Sequence, residues 1–521
     1  MNIHLLCEYM QNPTGIDTPA PLLCWYTDAP QTAIHSSRVV VLDSGSGDIL
    51  WDSGFQPDTG RAVYNGWALR SGQTCRWQVS LRHSGGETLS DEARFTMGLL
   101  PEDCWQARWV GGIRIDAKCY LYRHEWTAPK PVRSAAAFVA SPNYNVITVN
   151  GQKPDDSVLN NTFANYDKSL YYVTYDLTGL VREGQNAIGV MTGLGWRSLR
   201  EAEDGVGWGD SLFALQIRMV YADGTEEWLY SHPDAWRCLT DGPVTYNSIY
   251  NGEIYDARLE KTGWDEPGYE DSGWMDTVEK EPPEGVLRSQ LLEPIRVVKE
   301  WQPVAVLPVA DGSWTLDFGK NFAGWVRLRI RGKVGQQIAI RPAEMIHPDG
   351  SVDPTSLRKA HPVDIYICKG EGVEEWEPRF TYHGFRYAQI TGLESRPEPG
   401  MFTGCMVRSG VEDTGRFTSS HPVVQGFFDM VRQTEESNLH GVPTDCPQRD
   451  ERLGWLNDMT VRNEGALYGF RLYQLYAKWL RDIRDTQGRV TGAITDTALD
   501  IATSLSCAMV SGLPTRSAAV F

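Results

Sequence analysis

The sequence predicts a multidomain, mainly β protein that continues into a helical segment. Its 521 residues are enough for several domains of roughly 100 to 200 residues each. Up to about residue 405, short runs of alternating apolar and polar residues are separated by Gly, Pro, Asn and Asp, which is the pattern of half-buried strands joined by turns. After about residue 410 the apolar residues recur at helical spacing. We therefore expect β-sandwiches followed by helices.

The strands are predicted from period-two alternation, and the domain limits from turn-rich connections. The clearest strand patterns are SSRVVVLD, CRWQVSLRH, LFALQIRMVYADG, WVRLRIRG and QQIAIRPAE. Pro and Gly cluster in LLPEDCWQARWVGG (99–112) and EPPEGVLRSQLLEP (281–294), as they do in connections between domains. These features predict four domains, at residues 1–100, 101–286, 287–405 and 406–521.

Two helices are predicted in the last of these domains. The first follows Ser420, a suitable N-cap, and has Pro422 in its first turn. Its periodic positions are Val424, Phe427, Phe428, Val431 and Glu435. The second presents one apolar face formed by Leu472, Leu475, Tyr476, Trp479, Leu480 and Ile483.

The last thirty residues have a different composition. GAITDTALDIATSLSCAMVSGLPTRSAAVF is rich in Ala, Ser and Thr and has no clear apolar stripe. Two helices and such a fragment cannot bury one another's apolar faces as a full helical domain does. We therefore expect an incomplete helical domain, with a truncation or a frame shift after about Val490.

Composition excludes several classes of partner. The chain has 49 Lys and Arg against 67 Asp and Glu, a net charge of −18, which repels nucleic acid and anionic membrane surfaces. Ten cysteines lie singly, without the spacing of zinc ligands or of a disulfide framework. The first residues lack a basic region followed by an apolar one. We expect a cytoplasmic protein with reduced thiols, no cofactor and no metal.

The stretch TDCPQRDERLGWLND, residues 444–458, concentrates charged side chains around a single tryptophan. A carboxylate beside a guanidinium stays ionised, whereas one against an aromatic ring in a dry pocket keeps its proton. Glycoside hydrolysis needs that division between a proton donor and ionised groups. The groups available are Asp445, Arg449, Asp450, Glu451, Arg452, Trp455 and Asp458.

Three other interpretations of this stretch compete with sugar chemistry. It can be a solvated charged loop anchored by Trp455, the commonest role of such a cluster. A calcium site lacks the usual alternation of oxygen ligands, and the arginines oppose it. A thiol centre would pair Cys446 with His440, six residues earlier, but nothing in the sequence indicates an oxyanion hole.

The run DCPQRDERLGW (445–455) resembles the signature of glycoside hydrolase family 78, the bacterial α-L-rhamnosidases. The resemblance extends over residues 1 to about 490. EYMQNPTGID, ILWDSGFQPD and CRWQVSLRHSGGE resemble the family's leading fibronectin-type sandwich, and NGEIYDAR and GWDEPGYEDSGW resemble its next β-domain. LDFGKNFAGWVRLRIRG and FTYHGFRYAQITG resemble the concanavalin-like sandwich that precedes its helical barrel.

This resemblance implies fibronectin-type and jelly-roll-like β-sandwiches followed by the first helices of an (α/α)6 barrel. It implies inverting hydrolysis that releases terminal α-L-rhamnose from glycosides. Glu451 would be the general acid, and rhamnose would contact Asp445, Arg449, Trp455 and Asp458. Where the family commonly has Gly before the last of these carboxylates, this chain has Asn457. The family's general base is a glutamate from the later part of the barrel, so we expect the chain to lack it.

These roles carry electrostatic expectations. As an acid, Glu451 should have a raised pKa, with Trp455 as an apolar wall, while Asp445 and Asp458 should stay ionised and Arg449 should donate a forked pair. Two alternatives remain open. The first is a carbohydrate-binding chain without catalysis that uses WGDS (208–211) and NSIYNGEIYD (247–256), and the second is an inverting glycosidase for another terminal sugar.

Overall fold

The computed structural model describes residues 1–28, 33–101, 103, 105–114, 119–198, 211–488 and 492–498. Within these residues all strands except the two short ones at 454–455 and 497–498 precede the α-helices, which confirms the predicted mainly β architecture. The tail from 499 to 521 and most of the WGDS stretch lie outside the described residues. No helix in the described ranges is long and apolar enough to cross a membrane.

Two sheets form the first sandwich. In strand β8 the side chains of Cys75, Trp77, Val79 and Leu81 are fully buried, while the residues between them face outward, as the alternation predicts. β1, β3 and β7 form one sheet, and the order β2-β10-β8-β4-β5 forms the other, with β6 and β9 at its edges. The strands are β1 (Ile3–Cys7), β2 (Thr14–Ile16), β3 (Leu22–Thr27), β4 (Ile34–Asp43), β5 (Ile49–Asp52), β6 (Gln56–Pro57), β7 (Arg61–Val63), β8 (Thr74–His83), β9 (Gly86–Leu89) and β10 (Ala93–Met97).

The second sandwich is built around a strand that is buried on both faces. β17 buries Phe213 and Leu215 between the two sheets and Leu212 against the rest of the molecule. The sheets have the orders β23-β11-β17-β13-β15-β24 and β14-β16-β12-β19-β22. The strands from residue 110 to 289 are β11 (Val110–Gly111), β12 (Tyr120–Ala128), β13 (Val132–Ala140), β14 (Asn145–Val149), β15 (Ser169–Asp176), β16 (Gly184–Thr192), β17 (Leu212–Tyr221), β18 (Glu226–Tyr230), β19 (Arg237–Leu239), β20 (Val244–Ser248), β21 (Gly252–Asp256), β22 (Met275–Asp276), β23 (Val278–Glu279) and β24 (Val286–Ser289).

The third β-region is a sheet of order β20-β21-β31-β28-β33-β27-β34-β25, with β26 and β32 paired to β27. Two of its strands come from residues 244–256, and β24 belongs to the second sandwich, so strand pairing crosses the domain limit predicted at 286. The further strands are β25 (Ile295–Trp301), β26 (Ala305–Pro308), β27 (Trp314–Ile330), β28 (Gln337–Ala343), β29 (Met345–Ile346), β30 (Val352–Asp353), β31 (Asp364–Ile367), β32 (Glu374–Trp376), β33 (His383–Thr391) and β34 (Phe402–Ser409).

The helical segment contains α1 (Pro422–Glu436), β35 (Gly454–Trp455), α2 (Leu456–Gly469), α3 (Tyr473–Asp485) and β36 (Thr497–Ala498). The predicted N-cap at Ser420 is wrong, because His421 occupies that position and makes no side-chain cap. α2 was not predicted, since its apolar residues follow no stripe. The 444–458 stretch therefore lies between α1 and α2, and its last three residues start α2.

A short β-pair closes the far side of this stretch. β35 pairs with β36, and the Leu456 N–H also donates to the carbonyl of Asp496 at 2.9 Å. α3 turns Leu475 and Trp479 into the core. By contrast, α1 leaves Val423, Val424, Phe427, Met430 and Val431 exposed.

Candidate active site

The loop at residues 444–453 is fixed to the third sheet by Arg452. This side chain is fully buried, and its guanidinium donates to the carbonyls of Ile249 at 2.8 Å and Tyr382 at 2.5 Å. It also lies over the rings of Tyr250 and Tyr382. Arg452 therefore acts as an anchor of the loop, because the acceptors of its guanidinium are backbone carbonyls.

A second contact lets the loop approach the sheet closely. Gly384 in β33 faces Pro447, and a Cβ atom at Gly384 would lie only 2.7 Å from the proline ring. Any other residue there would displace the loop. The Tyr250 hydroxyl completes the support by donating to the backbone carbonyl of Glu451 at 2.8 Å.

The Glu451 carboxylate is held by three donors. Oε1 accepts the indole N–H of Trp455 at 2.8 Å. Oε2 accepts from Nε of Arg449 at 2.7 Å and from Nη1 of Arg358 at 2.8 Å. The two oxygens are thus inequivalent, because one faces a neutral donor and the other faces two cations.

These donors reverse the expected electrostatics of Glu451. Partial burial raises its pKa, but the hydrogen bonds and charges of Arg449 and Arg358, with the Trp455 indole, outweigh burial and leave the pKa below its usual value. The expectation of a raised pKa is therefore wrong for the ligand-free protein. Trp455 is a hydrogen-bond donor to the charged form and not an apolar wall.

Asp445 shows the opposite shift. Its side chain is almost fully buried, and burial raises its pKa against the lowering effects of Cys446, the Leu453 N–H and Arg449. Oδ1 accepts from the Leu453 N–H at 2.8 Å, and Oδ2 pairs with Arg449 at 3.1 Å. We expected Asp445 to stay ionised and Glu451 to have the raised pKa, and the two pKa shifts run in the directions opposite to that expectation.

Arg358 is a site residue that sequence reasoning missed. It follows the short 3-10 turn Thr355–Leu357 in the third β-region, and its backbone has φ 57°, which is unusual for a residue other than glycine. Its Nε pairs at 3.2 Å with Asp450, whose side chain is fully buried and also accepts the Lys359 N–H. No local pattern signals this contact, because the partners lie about ninety residues apart.

Asp458 lies apart from this group. It is exposed in the first turn of α2. Within the described parts of the chain no hydrogen bond or ion pair holds its carboxylate. The structure thus brings Asp445, Arg449, Glu451 and Trp455 together, and the predicted contact of Asp458 with rhamnose stays a prediction.

The competing interpretations find little support in the geometry. The Nε2–H of His440 donates to the Val407 carbonyl at 2.9 Å, and the ring stacks on Tyr382. Burial lowers the pKa of His440 to about 3, so it is not a base for Cys446. Burial and the nearby Asp445 raise the pKa of the Cys446 thiol. Ligand atoms of Asp445, Cys446 and Glu451 lie within 4.8 Å of one another, but Arg449 is already paired with both carboxylates.

Two further features bear on ligand binding elsewhere. The rings of Tyr250 and Tyr255 in NSIYNGEIYD are buried, so they offer no exposed stacking surface.

A cleft of about 420 Å³ runs between the first two sandwiches and the helical segment. It is lined in part by Glu293, whose burial raises its pKa to about 7 against the charge of Arg471.

Domain models of one enzyme family match most of the chain. Residues 3–101 match a Rha78A-like N-terminal immunoglobulin domain, and residues 130–299 match the α-L-rhamnosidase N-terminal domain. Residues 308–408 match the bacterial α-L-rhamnosidase concanavalin-like domain, and 412–507 match its six-hairpin glycosidase domain. Three β-regions in front of a six-hairpin segment, with a carboxylate–guanidinium cluster between its helices, are the domain arrangement of a glycoside hydrolase family.

Relatives and solved structures agree with these matches. An α-L-rhamnosidase from Formosa agariphila is 31% identical over 92% of the chain. Solved α-L-rhamnosidases from Dictyoglumus thermophilum and Aspergillus terreus are 32% and 30% identical, with TM-scores of 0.87 and 0.88 over 96% of the chain. The chain belongs to the bacterial α-L-rhamnosidase family.

The chain covers only part of the length of these relatives. The chain spans 55% of the length of the Formosa protein and 59% and 60% of the two solved chains.

Proposed function

We propose that the chain carries the proton-donor side of a site that hydrolyses terminal α-L-rhamnosides. The main support is the Glu451 carboxylate, which sits among hydrogen-bond donors in the loop between α1 and α2. The family membership of the chain supports rhamnose as the sugar. Rhamnose-containing glycosides are the proposed partners.

The proposed chemistry assigns one role to each residue in reach. Glu451 protonates the departing glycosidic oxygen, Arg449 offers its forked guanidinium to sugar hydroxyls, and Asp445 orients Arg449. Because Glu451 is ionised beside two cations, it must take up its proton when a bound sugar displaces water and weakens those contacts. Trp455 and Asp458 complete the contacts with rhamnose.

We infer that the general base lies outside the described residues. An inverting enzyme needs a second carboxylate roughly 6.5 to 9.5 Å from the acid, so that water fits between them. Asp445 has an oxygen within 4.8 Å of Glu451 and is almost fully buried, which leaves no room for that water. The loop therefore supplies an acid without its base.

The test combines binding with turnover. We expect calorimetry to detect L-rhamnose binding, and we expect turnover of an aryl α-L-rhamnoside far below that of a complete relative. Turnover at the rate of a complete relative would contradict the missing base, and failure to bind L-rhamnose would contradict the function. L-fucose and L-mannose serve as sugar controls.

Two variants locate the binding. Glu451→Gln keeps the shape of the side chain, so L-rhamnose binding should persist while any residual turnover is lost. Arg449→Met should weaken L-rhamnose binding at least tenfold, because it removes a charge-assisted hydrogen bond worth roughly 1.5 to 3 kcal/mol. Binding that survives Arg449→Met unchanged would favour a carbohydrate-binding surface elsewhere on the chain.

A further inference from the structure

Arg358 reaches the candidate active site from the third β-region, outside the loop that carries the other charged groups. We propose that Arg358 is a positioning residue of this site, and that it holds the Glu451 carboxylate so that Oε1, and not Oε2, carries the proton that Glu451 donates. This inference rests on the proposed function. It adds a residue from another part of the chain and a specific oxygen atom.

The two oxygens of Glu451 differ in what they accept. Oε2 accepts N–H groups from Arg449 and Arg358, both of them cations. Among the described residues, Oε1 accepts only the neutral indole N–H of Trp455. Charge-assisted hydrogen bonds are about twice as strong as neutral ones. A proton on Oε2 would have to break at least one of the stronger pair, whereas Oε1 keeps a free lone pair, so the proton resides on Oε1.

Arg358 is better placed than Arg449 to fix this asymmetry. Arg449 divides its guanidinium between Glu451 and Asp445 within the same loop. Arg358 is anchored on its other side, because its Nε pairs with the buried carboxylate of Asp450. The Lys359 N–H donates to the same oxygen of Asp450, which ties the backbone beside Arg358 to the loop.

The charges around Glu451 are nearly balanced. Of the residues that the structure describes, Arg449 and Arg358 are the cations paired with it, and Asp445 and Asp450 are the carboxyls that share those cations. The Cys446 thiol stays protonated, and Tyr250 contacts only the backbone carbonyl of Glu451. Loss of Arg358 leaves one cation among three carboxyls, so the proton should bind Glu451 at higher pH.

Trp455 offers a reporter that needs no substrate. Its indole N–H bonds to the oxygen that would carry the proton, so protonation of Glu451 changes the environment of that ring. We would replace tryptophan by 5-fluorotryptophan, assign the Trp455 fluorine signal with Trp455→Phe, and follow it from pH 3 to pH 8. Glu451→Gln should abolish the titration, which establishes that the signal reports this carboxyl.

Arg358→Gln should raise the midpoint of that titration by about one pH unit, since a single adjacent cation lowers a carboxyl pKa by roughly that amount or more. Arg358→Lys keeps the charge but loses the fork, so a smaller rise is expected. Lys359→Gln is the matched control, because it removes a neighbouring cation and keeps the backbone N–H that donates to Asp450. Its midpoint should stay within about 0.2 pH units of the parent.

An unchanged midpoint in Arg358→Gln, or an equal shift in Lys359→Gln, would overturn the inference. The fluorine signals of buried Trp77 and Trp236 check that each variant is folded. If Arg358→Gln does not fold, Arg358→Lys is used alone. A rise in its titration midpoint supports the inference, and an unchanged midpoint contradicts it. Because the titration uses no sugar, a chain that fails to bind rhamnose refutes the proposed function without touching this result.

Discussion

Two carboxyl groups in different parts of the molecule have opposite electrostatics. Glu293 lines the cleft between the first two sandwiches and the helical segment, and burial raises its pKa to about 7. Glu451 lies in the loop between α1 and α2, and two guanidiniums with an indole keep its pKa below the usual value. Judged by pKa alone, Glu293 is the carboxyl that keeps its proton more readily, yet among the described residues no cluster of donors surrounds it. The comparison teaches that burial alone can keep a carboxyl protonated in any part of a protein. A set of hydrogen-bond donors that converge on one carboxylate is the feature that indicates a functional site.

The largest expected effect is on stability, and it concerns Arg452, the residue that fixes the loop of Glu451 to the third sheet. Arg452→Met should lower the free energy of unfolding by about 3 kcal/mol or more, because it leaves the buried carbonyls of Ile249 and Tyr382 without donors. Arg449→Met, the matched control in the same loop, should cost about 1 kcal/mol or less, since Arg449 is one-third exposed. Urea denaturation measures both. Equal losses would show that Arg452 is no more an anchor than Arg449.

The next effect tests the raised pKa of Glu293, the buried carboxyl of the two compared. Because the pKa of Glu293 is raised in the folded state, the folded protein holds its proton between about pH 4 and pH 7, and the free energy of unfolding falls as pH rises through that window. Glu293→Gln cannot ionise, so it should stabilise the protein by about 2 kcal/mol at pH 8 and have little effect near pH 4.

The control for this prediction lies in the same cleft. Glu412 is paired with Arg471 at 2.9 Å and is about one-third exposed, so Glu412→Gln should show no such gain at pH 8. Urea denaturation at the two pH values measures all three proteins. If the difference in stability between Glu293→Gln and the parent is the same at both pH values, Glu293 does not have a raised pKa and the comparison fails.

The smallest effect concerns the neighbour of Glu451. Asp445→Asn removes a like charge and leaves Arg449 wholly to Glu451, so the pKa of Glu451 should fall by about half a unit. The fluorine titration of Trp455 measures this shift. A rise in the midpoint would contradict this prediction.

The β-architecture and the charged loop were predictable because their signals are local. Alternation in β8 mirrors its burial residue by residue, and residues 444–458 are contiguous. α2 was missed because its buried Met459 and Ala466 form no apolar stripe. The pairing of β20 and β21 with the third sheet was equally invisible, since period two does not reveal which sheet a strand joins.

The candidate site was predicted as a set of residues but not as an electrostatic arrangement. Glu451, Asp445, Arg449 and Trp455 meet as expected, because the loop that carries them is short. The lowered pKa of Glu451 owes most to Arg449 in the same loop and is reinforced by Arg358, which only the packing of the third β-region brings near. Which oxygen faces which donor is likewise a tertiary property.

The pairing of β35 with β36 sets an order of assembly during synthesis. The supports of Glu451 in the β-region, Tyr250 and Arg358, leave the ribosome before the loop does. The strand that carries Trp455 pairs with residues 497–498, which emerge about forty residues later. On a nascent chain, Arg358 and Arg449 can therefore pair with the Glu451 carboxylate before the strand that carries Trp455 has its partner strand.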